Sequence, residues 1–362
     1  MKPHRLATIR QMIQAGDLLA EARTIDKVAT ALGISGKAVE GYVGEWYEEL
    51  HVDDRDGFIQ KWPMYRQGID EDGRPVRREG SGKLDPAQVR YVQAADGTNI
   101  AFAGYGHSQL APIICLEPPH YSHLQAEWEM DWNQHARKIE RLAENRRVIR
   151  YDPRGSGLSD RDVEDQSLDA RVSDLEAVLA RVGVDRLILY AVRNSGLVAL
   201  EFARRNPDKV VALVLDECFT QGAEFWNDPI QQVLNQLAAL DWRTFTELYG
   251  RLIYGWDSDV RYDSGYAGVL ASETAAYIRT CINSRDFMRW AVAEREIDVS
   301  AALNSVISPT LVVTYDPGGR LLPFGPRGSA RKLAAAIPNA EMIVVDSLVE
   351  ILDRMSDFLE LA

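Results

Sequence analysis

Four things are scarce in this sequence, and each absence narrows the reading. Cysteine is the first: Cys115, Cys218 and Cys281 are scattered and odd in number. They make no disulfide framework and no metal-binding spacing, so three buried thiols of a cytoplasmic protein are expected, with no metal and no cofactor motif. Long apolar runs are the second. No stretch reaches the roughly 18 uninterrupted apolar residues of a membrane-spanning helix. The opening "MKPHRLATIRQMIQAG" also lacks the apolar block and cleavage site of a signal peptide, so no membrane partner is expected. The third is histidine in the later chain. All six (His4, His51, His107, His120, His123 and His135) fall within the first 135 residues. Positive charge is also in deficit, with 41 Lys and Arg against 54 Asp and Glu for a net charge of −13. That balance argues against indiscriminate binding of nucleic acid by the whole molecule.

What is present is an ordinary soluble composition, 46% hydrophobic and 26% charged over 362 residues. The length suffices for one large core and a smaller unit. Residues 1–60 read as a helical block. The segment 61–87, containing "YRQGIDEDGRPVRREGSGKLDP", is rich in glycine and charge and reads as a linker or arm. From residue 88 to 362 strand-like runs alternate with helical patterns: 89–95, 99–106, 113–118, 146–152, 186–191, 210–217, 310–316 and 341–346. The alternation predicts a mainly parallel sheet with helices on both faces. Residues 220–305 interrupt it with helix-like, aromatic-rich sequence. That places a cap over the C-terminal strand ends, where open α/β sheets bind ligands.

Four segments carry a resemblance: "ADGTNIAFAGYG", "VIRYDPRGSGLSDR", "YAVRNSGLVALEFARRNPDKVVALVL" and "SPTLVVTYDPGGRLLPF". In this order and spacing, the chain from about residue 88 resembles the α/β-hydrolase family. The resemblance implies an α/β-hydrolase fold with a helical cap, and a nucleophile, an acid and a late histidine in that chain order. At the strand-to-helix elbow "AVRNS", Ala191 and Ser195 fill the two small positions and Arg193 stands where the nucleophile belongs. A guanidinium stays protonated and has no lone pair to attack with. Ser195 reads as the second small residue. The position matching the family's acid falls on Gly319, with Asp316 or Asp216 as substitutes or as ordinary strand-end carboxylates. Leu348 or Val349 falls where the late histidine belongs. With all three roles unfilled, the expectation is a protein that is not an enzyme.

Arg193 has two readings. It anchors a small acidic or strongly hydrogen-bonding ligand at the start of the elbow helix, or it pairs with an internal acid such as Glu117 or Asp216 and plugs the cavity. The candidate ligand site is Arg193, Asn194, Pro119, His120, Glu117 and Trp128. His120 and His123 follow the third strand, where the family builds its oxyanion loop, and serve either a ligand or the loop itself. Trp128, Trp132, Trp226, Trp242, Trp256 and Trp290 wall a pocket or pack the core and cap.

In the N-terminal block, Leu6, Ile9, Ile13 and Leu19 recur at helical spacing. Thr24 caps a second helix bearing Ile25, Val28, Ala29 and Leu32; Gly33 makes a turn; Ser35 caps a third with Val39, Val43, Trp46 and Leu50 on one stripe. The stretch "IDKVATALGISGKAVEGYVGEWYEELHVDDRDGFI" resembles the LuxR-type helix-turn-helix. The resemblance covers about residues 8–60 and implies a four-helix DNA-binding unit acting as a dimer. Ser35, Lys37, Ala38, Gly41 and Lys27 are its candidate DNA contacts. Against it, residues 1–60 hold seven Lys and Arg and ten Asp and Glu, a poor balance for phosphate neutralisation. A relic that dimerises or packs on the second domain is the other reading.

Together these readings predict a ligand-responsive transcriptional regulator, a homodimer whose hydrolase-like domain senses a small molecule. Two alternatives stand beside it. One is an α/β-hydrolase-fold enzyme with non-standard catalysis, and the other is a partner-binding protein with two degenerate domains.

Overall fold

Eight runs rich in β-branched and aromatic residues become the strands of one sheet in the computed structural model. They are β1 (Arg90–Gln93), β2 (Asn99–Tyr105), β3 (Ile113–Leu116), β4 (Val148–Tyr151), β5 (Leu187–Val192), β6 (Val210–Asp216), β7 (Thr310–Tyr315) and β8 (Ala340–Val345). The structure describes residues 3–21, 24–50, 55, 58–59, 62, 88–129, 134–254, 264–315, 328–345 and 348–361. The strand order is β1-β2-β4-β3-β5-β6-β7-β8. β2 runs antiparallel to β1 and β4, and the remaining pairings are parallel. Strands β3 and β4 are buried at every position and β5 and β6 at all but one, which explains their continuous apolar runs in place of an alternating pattern.

The helices are α1 (Pro3–Ala20), α2 (Ile25–Leu32), α3 (Gly36–Leu50), α4 (Ala126–Glu129), α5 (Gln134–Ala143), α6 (Leu168–Val182) and α7 (Gly196–Arg205). They continue with α8 (Gly222–Trp226), α9 (Pro229–Leu240), α10 (Trp242–Tyr254), α11 (Ser264–Cys281), α12 (Ser284–Arg295), α13 (Ser329–Ala336) and α14 (Leu348–Leu361). Contacts divide the chain into two units, residues 1–80 with 250–272 and residues 81–249 with 273–362. Within the expected cap over 220–305 the described residues form helices α8 to α12, and Gly250–Ser272 belong to the first unit.

In the second unit, Cys115, Tyr190 and Val214 pack from the sheet against Ile139 and Leu142 of α5 and Ile351 and Met355 of α14. All three cysteines are free and buried. Helix α6 starts at Ser167, whose hydroxyl accepts from Ala170 N at 3.3 Å, and stops at Gly183 in the left-handed region. The turn after β4 closes around Asp152, whose carboxylate accepts from Ser122 Oγ (2.8 Å), Leu158 N (2.8 Å) and Leu124 N (3.2 Å). Gly157 passes so close that a Cβ there would lie 2.1 Å from Asp152 Oδ2, so the glycine of "PRGSG" is required sterically.

In the first unit, Gly33 ends α2 in the left-handed region, and Ile34 N closes back on Ala29 O at 3.1 Å. The Ser35 hydroxyl caps α3 by accepting from Ala38 N at 3.2 Å. Ile13, Leu19, Val28, Ala29, Val39 and Trp46 form the core with Phe58 and Trp62. A linker beginning at residue 61 is therefore placed too early. Trp62 is 2% exposed, stacks on Phe58 at 5.2 Å and donates its indole N–H to Asp17 at 3.0 Å. Among the described residues no helix is long and apolar enough to cross a membrane.

Candidate active site

Strand β5 delivers Arg193 to the elbow with φ +50°, and one tight turn over Arg193–Ser195 leads into α7. The left-handed backbone is the strained geometry that lifts a side chain clear of the sheet. Two neighbours fix the turn. Gly196 lies against Cys218, where a Cβ would come within 2.6 Å of its side chain. Ser195 Oγ accepts from Val192 N at 2.9 Å and lies 2.7 Å from Leu116 O, so its hydroxyl ties the elbow to β3. Ser195 is thus the elbow's structural small residue.

Arg193 is half-buried. Burial works against its charge, and Tyr249, Tyr121, Glu217 and Asp216 outweigh that cost, so its pKa is raised. His120 is 3% exposed on the short turn Pro119–Tyr121. Burial, aided by the Arg193 cation, pushes its pKa down to about 3, so the ring is neutral. Its Nε2 lies 3.2 Å from the Tyr249 hydroxyl, while its Nδ1 is buried without a hydrogen-bond partner. The ring sits among Tyr121, Trp290 and Phe287 at centroid distances of 4.6, 5.2 and 6.1 Å.

Asp216 ends β6 in register with Val192 of β5 and Val313 of β7. It accepts from the Tyr190 hydroxyl at 2.9 Å through Oδ2, and its buried Oδ1 has no partner. Burial pushes its pKa up to about 6, against the lowering effects of the Tyr190 hydrogen bond, Lys138 and Arg193. The next residue, Glu217, again has a left-handed backbone (φ +55°) and accepts from Thr314 Oγ1 at 3.0 Å. Beneath them Glu117 and Lys138 form a buried ion pair, with Lys138 Nζ 4.9 Å from the centre of the Tyr190 ring.

On the other side of the elbow, Asn194 donates its amide to Glu294 of α12. Glu294 also accepts from Trp226 Nε1 at 3.0 Å and from Arg171 at 2.8 Å. This network encloses a cavity of about 30 Å³ lined by Glu117, Pro119, Asn194, Ser195 and Trp290 among others. That is room for about one water molecule.

The structure therefore gathers Arg193, Asn194, Pro119, His120 and Glu117 at the C-terminal strand ends. Trp128 is not among them: its indole donates to Tyr105 at 3.3 Å and packs on that ring. His123 serves its own loop, its Nδ1 accepting from Ala126 N at 3.1 Å. Trp226 and Trp290 pack edge to face at 5.1 Å, and Trp242 stacks on Phe245. Trp132, Trp256, Asp316 and Gly319, and the side chains of Leu348 and Val349, lie outside the described residues. In the first unit Ser35, Lys37, Gly41 and Lys27 are exposed and Ala38 is half-buried.

Sequence reading missed Lys138, Tyr190, Tyr249 and Glu294 as site residues. Lys138 left one signal, because it lies beside Ile139 and four residues before Leu142, both on the apolar face of α5. Among the described residues no cluster of His, Cys, Asp and Glu has a metal-binding arrangement.

No family model matches the chain. It is 24% identical over 214 residues to a Rhizobium rhizogenes protein named "Putative carbamate hydrolase RutD", spanning 58% of this chain and 78% of that one. An Agrobacterium fabrum protein of the same name is 22% identical over 212 residues, spanning 58% and 77%. Among solved structures, a bromoperoxidase from Bacillus anthracis superposes with a TM-score of 0.63 at 16% identity, covering 75% of this chain and all of that one. The enol-lactonase from Burkholderia xenovorans gives 0.61 at 18% identity with the same coverage. The expectation that the chain is not an enzyme is overturned by the two sequence relatives, both of which carry a hydrolase's name. Strands β1 to β8, with the helices that flank them, form an α/β-hydrolase fold.

Proposed function

We propose that the chain is an α/β-hydrolase-fold enzyme that hydrolyses a small acyl compound of the carbamate or ester class by direct attack of water. The observation that carries this reading is Arg193, a cation fixed in a left-handed elbow. A glycine would adopt that backbone without strain, whereas a side chain costs about 1–3 kcal/mol there, and such strain clusters at functional sites. Around it lie a buried carboxyl with a raised pKa, a neutral histidine and a tyrosine hydroxyl, the pattern of an acid–base site. The relatives' carbamate hydrolase names supply the substrate class.

In this reaction ionised Asp216 takes a proton from water. The water oxygen bonds to the acyl carbon, and the carbonyl electron pair moves onto its oxygen. Arg193 stabilises that oxyanion together with backbone N–H groups at the start of α7. The oxyanion then collapses, the bond to the amine or alcohol breaks, and the leaving group takes the proton back from Asp216. No covalent enzyme intermediate forms, so the elbow needs no nucleophile. The test is turnover of a panel of small carbamates and activated esters by the full chain, with Arg193→Ala and Asp216→Asn. Turnover at the level of a heat-treated control across the panel rejects the reading.

A second reading concerns the first unit and rests on Gly33 turning α2 into α3 with Lys27 and Lys37 exposed. We propose that α3 contacts duplex DNA in a homodimer, through Lys37, Ser35, Ala38 and Gly41, with Lys27 on a phosphate. Fragments selected from genomic DNA by the purified protein test it, followed by gel shift with Lys37→Glu. No enrichment with or without cell extract rejects it.

A further inference from the structure

At the N-terminal ends of the strands, opposite the elbow, two adjoining cavities of about 510 and 370 Å³ share Ser108, Gln109 and Arg147. Their walls carry four arginines: Arg146, Arg147 and Arg186 in the larger, and Arg90 and Arg147 in the smaller. The larger also contains one acid, Asp185.

These arginines differ from the buried ones in what they face. Arg150 pairs with Glu127, Arg154 with Asp174 and Arg171 with Glu294. Among the described residues, none of the four groove arginines has an ion-pair partner, although acids outnumber bases by 54 to 41 in the chain. Arg146 is half-buried and donates to two carbonyls, Ala111 O at 3.3 Å and Leu359 O at 3.1 Å, with no carboxylate at either. Arg90 lies over the Phe102 ring at 4.8 Å, and the Arg147 guanidinium lies beside Gly104 of β2, 3.8 Å from where a Cβ would sit. Half-buried guanidinium charge without a carboxylate, as at Arg146 and Arg147, is costly unless an anion supplies the missing partner, while Arg90 and Arg186 are exposed at the groove's rim and free to turn toward one.

We propose that this groove binds a small phosphate-bearing anion, with Arg147 and Arg186 as its forked donors and Arg90 and Arg146 adding charge. Phosphate oxygens match the planar fork of arginine in pairs. The larger cavity lies within the range of small-molecule sites. The site is separate from the elbow and does not depend on the hydrolase reading.

The experiment is calorimetric titration of the full chain with inorganic phosphate and with pyrophosphate, against sodium chloride at matched ionic strength. Pyrophosphate is expected to bind with a Kd below about 1 mM. The double variant Arg147→Ala/Arg186→Ala should bind it at least tenfold more weakly. Arg147→Lys/Arg186→Lys, which keeps the charge but loses the fork, should fall between the two. Circular dichroism identifies a variant that has not folded, and single substitutions at Arg90 and Arg186 then replace it. Equal affinity in wild type and folded variants overturns the proposal, as does a chloride response equal to that of pyrophosphate. Citrate binding more tightly than pyrophosphate overturns the phosphate assignment.

Discussion

Arg193 and Glu217 hold left-handed backbones, φ +50° and +55°, directly beyond Val192 and Asp216, which are register partners on β5 and β6. Two strained residues at adjacent strand ends put two charged side chains at the mouth of the fold. Glycine at 193 relieves a strain of about 1–3 kcal/mol and gives back about 0.5–1 kcal/mol through a more flexible unfolded chain. Arg193→Gly is therefore expected to leave the melting temperature unchanged or raised. Its turnover on the best substrate should fall at least about 100-fold, the scale for removing an oxyanion donor. Full turnover in Arg193→Gly would remove Arg193 from the chemistry.

Strands β3 to β6 were legible as continuous apolar runs, because they are buried and a buried parallel strand has no polar face to blur the signal. The elbow was legible through Ala191 and Ser195, whose small size is a local steric demand. Asp216 was visible only as a strand-end acid. What makes it chemical is Tyr190, 26 residues earlier, and a burial that the fold creates. Glu294 was invisible for the same reason: its partners Asn194, Arg171 and Trp226 are 68 to 123 residues away. Trp62 was lost to the linker because Gln60, Lys61 and Pro63 interrupt any apolar repeat around it, and its burial comes from Trp46 and Phe58 in the first unit.

The Asp216 carboxyl gives a pH prediction with a definite sign. Its folded pKa of about 6 lies above the ordinary unfolded value of about 3.9. The folded state therefore holds its proton more tightly. The stability associated with the neutral form is complete below about pH 4 and is lost as pH rises through 6. Asp216→Asn keeps an acceptor for Tyr190 and has no charge to bury. It should be more stable than wild type by about 2–3 kcal/mol at pH 7–8 and equal to it near pH 4. Its activity should drop about 100- to 10,000-fold, and wild-type activity should rise with pH through about 6. Urea melts at the two pH values and a pH–rate profile check this; a flat profile removes Asp216 as the base.

Glu294 joins Asn194 at the elbow to Arg171 of α6 and Trp226 of α8, and all four groups are largely buried. Glu294→Ala leaves the Arg171 cation unpaired and two donors unsatisfied, an expected loss of about 3–5 kcal/mol. Glu294→Gln retains a neutral acceptor and should cost less, about 1–3 kcal/mol. Chemical denaturation of both variants measures the difference. A loss below about 1 kcal/mol for Ala would mean that the network is not what holds this side of the elbow.

In the first unit the contact between Gly16 and Trp62 tests whether residues beyond 60 are part of its core. A Cβ on Gly16 would lie 2.2 Å from the indole ring, well inside contact distance. The ring cannot swing aside freely, because its N–H is held by Asp17 and its faces by Trp46 and Phe58. Alanine favours a helix over glycine by about 1 kcal/mol, so at an open helical site Gly16→Ala would stabilise α1. Here overpacking should prevail, for a net loss of about 1–3 kcal/mol. The Trp62→Ala background removes the clash, and in it Gly16→Ala should become neutral or stabilising. Thermal melts of the four combinations give the coupling between the two sites. A Gly16→Ala effect that is the same with and without Trp62 would show that the indole does not pack on this face of α1.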